Sequence, residues 1–261
     1  MQIFGNKLAM HHFLPALAAA LTACSTPGYK LNPATECPLS PPPLGETPFD
    51  RSVVFPLHGP GTTLADITPA LIRLNERGQP MSPAAAAYDQ PPWAADYSAV
   101  PWHCVQDRRT GLTWEVKTDD GLLRDRDWTY TWYDADPARN GGHPGMANGG
   151  HCREQTGCDT SAYVAAVNAD GLCGFNDWRL PSIAELRTLI DPAAAPPGPT
   201  IDRHYFPNSP SSGHWSATPF SGHICYAWGV DFDFGDASGA YKATPLHLRL
   251  VRGKPFIPTK P

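Results

Sequence analysis

The cysteines carry the most chemistry in this 261-residue chain, which has seven of them. Cys37, Cys104, Cys152, Cys158, Cys173 and Cys225 form an even set, and in an oxidising compartment such a set is expected to be paired. Six cysteines permit fifteen pairings, so spacing alone fixes none of them. Cys152 and Cys158 are the nearest in sequence and can close a small local loop; pairing Cys104 with Cys173 and Cys37 with Cys225 then completes one of the possible sets. Metal ligation is the rival reading, because His151 adjoins Cys152 and His143 is close by. The spacing matches no zinc template, however.

Carboxylates and rings come next. Asp231, Asp233 and Asp236 are candidate calcium ligands, since that hard cation collects oxygens from carboxylates and carbonyls. A solvated hairpin accounts for the same three residues, and no resident cofactor is expected beyond that calcium possibility. Trp215, Tyr226, Trp228 and Tyr241 fall in late strands and loops and are the candidate ligand contacts. Trp128, Tyr130 and Trp132 alternate with threonines, which puts three rings on one strand face, and a core role is the simpler reading for them. The run from Asn140 to His151 is glycine-rich but lacks the Lys-Ser/Thr ending of a phosphate loop, so it reads as a long surface loop pinned near Cys152. No nucleophile-elbow pattern arranges Ser, His and Asp, and the chain is not expected to be an enzyme.

The seventh cysteine stands apart. Lys7 supplies a positive start, residues 13–21 make an apolar run too short to span a bilayer, and Leu21-Thr22-Ala23 lead into Cys24. This resembles the bacterial lipoprotein signal, which implies removal of residues 1–23, acylation of Cys24 and anchoring to a membrane. Ser25, rather than Asp, after that cysteine implies delivery to the outer membrane. The formal net charge is −5 and becomes one unit more negative without Lys7. Such a balance argues against nucleic acid as a partner. Lys242, Arg249, Arg252 and Lys254 crowd the last strands, where a solvated, charged sheet edge is the expected reading.

These groups need a frame to hold them. Residues 24–100 contain 14 of the chain's 30 prolines and read as a tether, partly ordered near residues 66–80. There Thr68 and Pro69 can start a helix, and a strand over 72–74 is equally compatible. Residues 101–253 are globular in composition, and 254–261 read as a tail. Within the domain, a helix is expected over 161–169, ended by Gly171. A second follows Ser182, whose hydroxyl and Glu185 form a capping box. Strands are expected over 111–117, 128–133, 214–218, 226–234, 240–244 and 247–252. The alternation Val230-Asp231-Phe232-Asp233-Phe234 turns its carboxylates outward, and residues 235–239 supply a hairpin turn. Two helices with a twisted antiparallel sheet make an α+β domain.

Several motifs in one order complete the reading: WHCVQDRRTGLTWEVK from Trp102, DWTYTWYD from Asp127, GLCGFNDWRLPSIAEL from Gly171, YFPNSP from Tyr205 and LRLVRG from Leu248. Together they resemble the domain family, of unknown function, that includes the C-terminal domain of the Legionella collagen-like adhesin. The resemblance implies a C-type-lectin-like fold, related to formylglycine-generating enzymes, and an adhesin-like role toward a glycan or a host or envelope protein. Asn176-Asp177-Trp178 is similar to the calcium motif of C-type lectins in composition only, and no partner motif accompanies it. The adhesin's domain is associated with sulfated glycosaminoglycans, whereas this chain is acidic and has no collagen-like repeats. A structural envelope component that assembles with other proteins is the alternative role. An oxidase-like enzyme would need a reactive thiol, and all six cysteines have the disulfide explanation.

Overall fold

The computed structural model describes Cys37, residues 70–82 and residues 100–255, all within one compact unit, Thr35–Pro261. Cys24, the signal segment, most of the expected tether and residues 256–261 lie outside the described residues, as do Thr68 and Pro69. Among the described residues, seven strands and two α-helices follow in chain order: β1 (Leu71–Leu74), β2 (Cys104–Asp107), β3 (Thr113–Glu115), α1 (Thr160–Asp170), α2 (Ile183–Leu186), β4 (Gly213–Pro219), β5 (Tyr226–Asp231), β6 (Asp236–Tyr241) and β7 (Val251–Arg252). They form a four-stranded antiparallel sheet, β1-β2-β3-β7, and a three-stranded meander, β4-β5-β6. This is an α+β domain in which much of the chain runs between elements.

Both helices owe their ends to side-chain chemistry. Asp159 caps α1 by accepting from the Ala162 amide, and Gly171 closes it in the left-handed region at φ 70°. Asn168 then fixes the helix to the following segment, exchanging two 2.8 Å hydrogen bonds with the Trp178 backbone. The capping box of Ser182 and Glu185 is present at α2, which is short and passes directly into a 3-10 turn over Arg187–Leu189. Glu185 has a second partner: Arg179 holds its carboxylate in a fork of 2.7 and 2.8 Å.

Strand β1 settles the ambiguity near residue 72 in favour of a strand, paired with β2 from Leu71↔Asp107 to Leu74↔Cys104. Arg73 lies over the rings of Trp102 and Tyr205 at 4.4 and 4.7 Å. Two sequence expectations are corrected. Residues 128–133 form no strand; they thread the centre through single bridges to His151, Leu246, Asp159 and Gly145. The β5–β6 turn also falls earlier than expected, because Asp231 pairs with Asp236 and Phe232–Gly235 make the turn. Asp231 accepts from the Asp233 amide at 2.9 Å, a local bond that turns the chain where alternation alone would extend it. Phe232 goes into the core while Phe234 is left exposed, so the alternation does not describe this segment.

Two apolar clusters fill the interior. One gathers Tyr130, Trp132, Tyr163, Trp178 and Trp215 around the disulfides, and the other gathers Trp102, Trp114, Leu186, Phe206 and Phe232. Cys104–Cys173 ties β2 to the turn after α1, Cys37–Cys225 ties the amino-terminal side to the start of β5, and Cys152–Cys158 closes a six-residue step.

Candidate functional site

The residues singled out for ligand contact do not share one open surface. Trp215 is completely buried, and its ring N–H donates to the Tyr130 carbonyl at 2.8 Å, so it braces the core and cannot meet an outside ligand. Trp228 and Tyr241 are also buried, and Tyr226 is half-buried. These last three belong to an aromatic cluster with Phe220 and His223, with Phe220–Trp228 at 4.8 Å and Tyr226–Tyr241 at 5.5 Å. Asp231, Asp233 and Asp236 do not converge either. Asp233 accepts from the Ser211 hydroxyl at 2.6 Å, while Asp231 holds the turn.

Carboxylates do converge elsewhere: single oxygens of Asp119, Asp125 and Asp127 lie within 4.8 Å of one another. Protein donors already occupy this group. Asp125 accepts from the amides of Asp120, Gly121 and Asp127 at 2.7, 2.6 and 2.8 Å, and the Arg126 guanidinium stands 3.4 Å from Asp119. The cluster therefore organises its own loop. Asp177, from the triplet similar in composition to a calcium motif, takes Arg252 in a fork of 2.6 and 3.2 Å.

The C-terminal cations are also corrected. Lys242 and Arg249 are buried rather than on a solvated edge, and Arg252 is half-buried in its pair with Asp177. Lys242 donates to the carbonyls of Asn140 and His143 at 2.7 Å each and stands 4.4 Å from the Trp132 ring centre. It thus pins the glycine-rich loop from inside. At Gly145 the same loop presses on the Trp132 carbonyl so closely that no side chain fits.

Arg249 belongs to a wholly buried ionic group that sequence reading missed. Its guanidinium donates to the Glu115 carbonyl and the Ser209 hydroxyl at 2.6 Å each. The Glu115 carboxylate accepts from the Leu250 amide at 2.9 Å, from Lys117 at 3.3 Å and, by a short bond, from the Tyr163 hydroxyl. Lys117 in turn donates to the Tyr163 oxygen at 2.7 Å. Burial pushes the Glu115 carboxyl upward, but Lys117, Tyr163 and Leu250 outweigh it and hold the group ionised. Burial brings the Lys117 ammonium down to about 8 despite Glu115, and the Arg249 guanidinium down to about 10. Glu115 and Lys117 sit in the run Trp114-Glu115-Val116-Lys117, where both faces are buried; alternation therefore gave no sign that its charges were inside.

Tyr163 leads from this ionic group to the surface. It and Tyr130 floor a cleft of about 220 Å³ between α1 and the Cys152–Cys158 loop. Leu123, Ala162, Ala166 and Cys152 line it, with Arg153 and Glu154 among its outer residues. The two tyrosine rings are 4.8 Å apart. Tyr163 is fully engaged with Glu115 and Lys117, whereas the Tyr130 hydroxyl, on a residue 2 % exposed, has no hydrogen-bond partner among the described residues. Burial, then the charges of Glu115 and Asp125, push the Tyr130 phenol far up, so it is a neutral O–H donor. Sequence reading assigned Tyr130 to the core and put residue 163 in the helix expected over 161–169, and the structure has a buried Tyr130 ring and Tyr163 in α1. What the sequence lacked was the neighbouring loop that makes both rings part of a cleft.

A disulfide-braced α+β domain with a small, mainly apolar cleft and a rigid ionic interior is the class of molecule these features define. The chain matches the Lcl C-terminal domain family over residues 103–252, more than half of its length, and it belongs to that family. The domain is accordingly adhesin-related. No curated protein and no solved structure matches the chain.

Proposed function

We propose that this protein is a non-catalytic binding module of the cell envelope, C-type-lectin-like in architecture, which holds a glycan or protein ligand in an adhesin-like role. The observation that carries the reading is the Tyr130–Tyr163 cleft: an adhesin-related domain presents a concave, largely apolar site with one unsatisfied polar group, the usual make-up of a small-ligand site. The described cysteines are all oxidised and paired, which supports both an exported location and a binding role over thiol chemistry. In this reading Cys24 carries the lipid, the proline-rich segment 24–100 is the tether, and the outer membrane is the destination. Assembly with other envelope proteins remains the alternative role.

Probing an array of glycans and envelope proteins with the purified whole chain tests the proposal. Selective binding to a small set of ligands is the expected outcome. Silence on every glycan, together with stable capture by envelope proteins alone, would favour the structural role. Incorporation of labelled palmitate that disappears in Cys24→Ala tests the anchor separately.

A further inference from the structure

The cleft narrows the chemistry of what can occupy it, on the footing of the binding role proposed above. Its volume, about 220 Å³, is below the roughly 300–1,000 Å³ of sites for drug-sized ligands, so it suits one sugar residue or one side chain. The Arg153 and Glu154 side chains stand 3.5 Å apart at the exposed loop and offset each other's charge, so the mouth favours neither an anion nor a cation. Leu123, Ala162, Ala166 and Cys152 supply apolar lining, and Tyr130, which also lines the cleft, carries a hydroxyl with no partner among the described residues.

A wholly apolar occupant would seal that hydroxyl away from water with nothing to receive its proton, which is unfavourable. A sugar face bearing only hydroxyls would lose water against the alanine and leucine methyls without compensation. An acetamido group meets both conditions. Its carbonyl oxygen accepts from Tyr130, its methyl packs on the apolar walls, and the neutral ring that carries it fills the outer part of the cleft near Thr156 and Gly157.

We propose that the cleft between α1 and the Cys152–Cys158 loop binds the N-acetylated residue of a neutral glycan, with Tyr130 as the donor to the acetamido carbonyl. Saturation-transfer NMR on the whole chain, with N-acetylglucosamine and glucose as separate probes, tests this. Transfer is expected to be strongest at the acetyl methyl and absent from glucose. Tyr130→Phe should weaken the signal at least fivefold, and Ala166→Phe, which fills the cleft, should abolish it. The melting midpoint of Tyr130→Phe should be unchanged or higher, because the deleted hydroxyl has no partner among the described residues. Equal transfer from the two sugars, undiminished binding by Tyr130→Phe, or a lowered midpoint in that variant would each overturn the inference. So would a peptide bearing an apolar side chain that occupies the cleft while N-acetylglucosamine gives no signal. If the array shows a ligand but N-acetylglucosamine fails here, the binding role stands and this assignment falls; array silence removes the role itself.

Discussion

Replacing Glu115 with Gln changes one atom and tests the buried ionic group. Both carboxylate oxygens face only donors: Lys117 and Tyr163 on Oε1, and the Leu250 amide at 2.9 Å on Oε2. A carboxamide has one acceptor and one donor, so in either flip it sets an N–H against another donor. It also removes the only negative charge in contact with Lys117 among the described residues, in a site where both residues are almost inaccessible, at 0 % and 3 % exposure. Breaking one partner of a buried ion pair costs about 3–5 kcal/mol, a large share of the ~5–15 kcal/mol that holds a typical domain folded. Guanidinium unfolding of the oxidised chain, followed by tryptophan fluorescence, is the assay. With slopes of roughly 2–6 kcal/mol per molar, the midpoint should fall by about 1 M with the slope unchanged. The double variant Glu115→Leu/Lys117→Met, which removes both charges, should recover more than half of that loss. A Gln variant within about 0.2 M of wild type, or a double variant no better than the single, would refute the reasoning.

Other outcomes can be checked by similar means. Replacing Cys104 and Cys173 together by Ala opens a link across 69 positions and should cost about 4 kcal/mol by loop entropy, read as a lower denaturation midpoint; no change would mean the link does not constrain the unfolded chain. Stability should rise between pH 8 and 10. There Lys117 and Lys242, brought down by burial to about 8, are neutral in the fold but still protonated when unfolded; the unfolded state then binds more protons, at up to about 1.4 kcal/mol per pH unit for Lys117. Above pH 10 the raised phenols of Tyr130 and Tyr163 reverse the trend, since the folded state keeps protons that unfolded tyrosines lose, and a flat profile from 8 to 10 would contradict this. Lys242→Met should leave the carbonyls of Asn140 and His143 without their donor and speed amide exchange across residues 140–146, with β2 unaffected.

How much of this was legible in the sequence depended on whether a local signal existed. Gly171, Ser182 and Glu185 announce the end of one helix and the start of the other because caps are built from neighbours in the chain, and the structure places each as read. The family motifs likewise span the domain. The three cysteine pairs joined in the structure coincide with the set written from the sequence, yet only Cys152–Cys158 had a local reason. Long-range burial was not legible. Trp215 lies in β4, where His214, Trp215 and Ser216 are all buried, so alternation could not separate a ligand-facing ring from a core ring. Lys242 and Arg249 look like edge charges in one dimension; their acceptors, Asn140, His143, Glu115 and Ser209, are between 40 and 134 positions away. The cleft was invisible for the same reason: its floor, helix wall and disulfide loop come from separate stretches that only the fold brings together.

Amide hydrogen exchange on the whole chain, with and without the strongest ligand from the array, tests most directly the claim that this domain binds through its cleft. Protection is expected at Leu123, over residues 152–158 and along the α1 face carrying Ala162 and Ala166. Protection confined to the Phe220–Tyr226 aromatic cluster, or none at saturating ligand, would contradict the account.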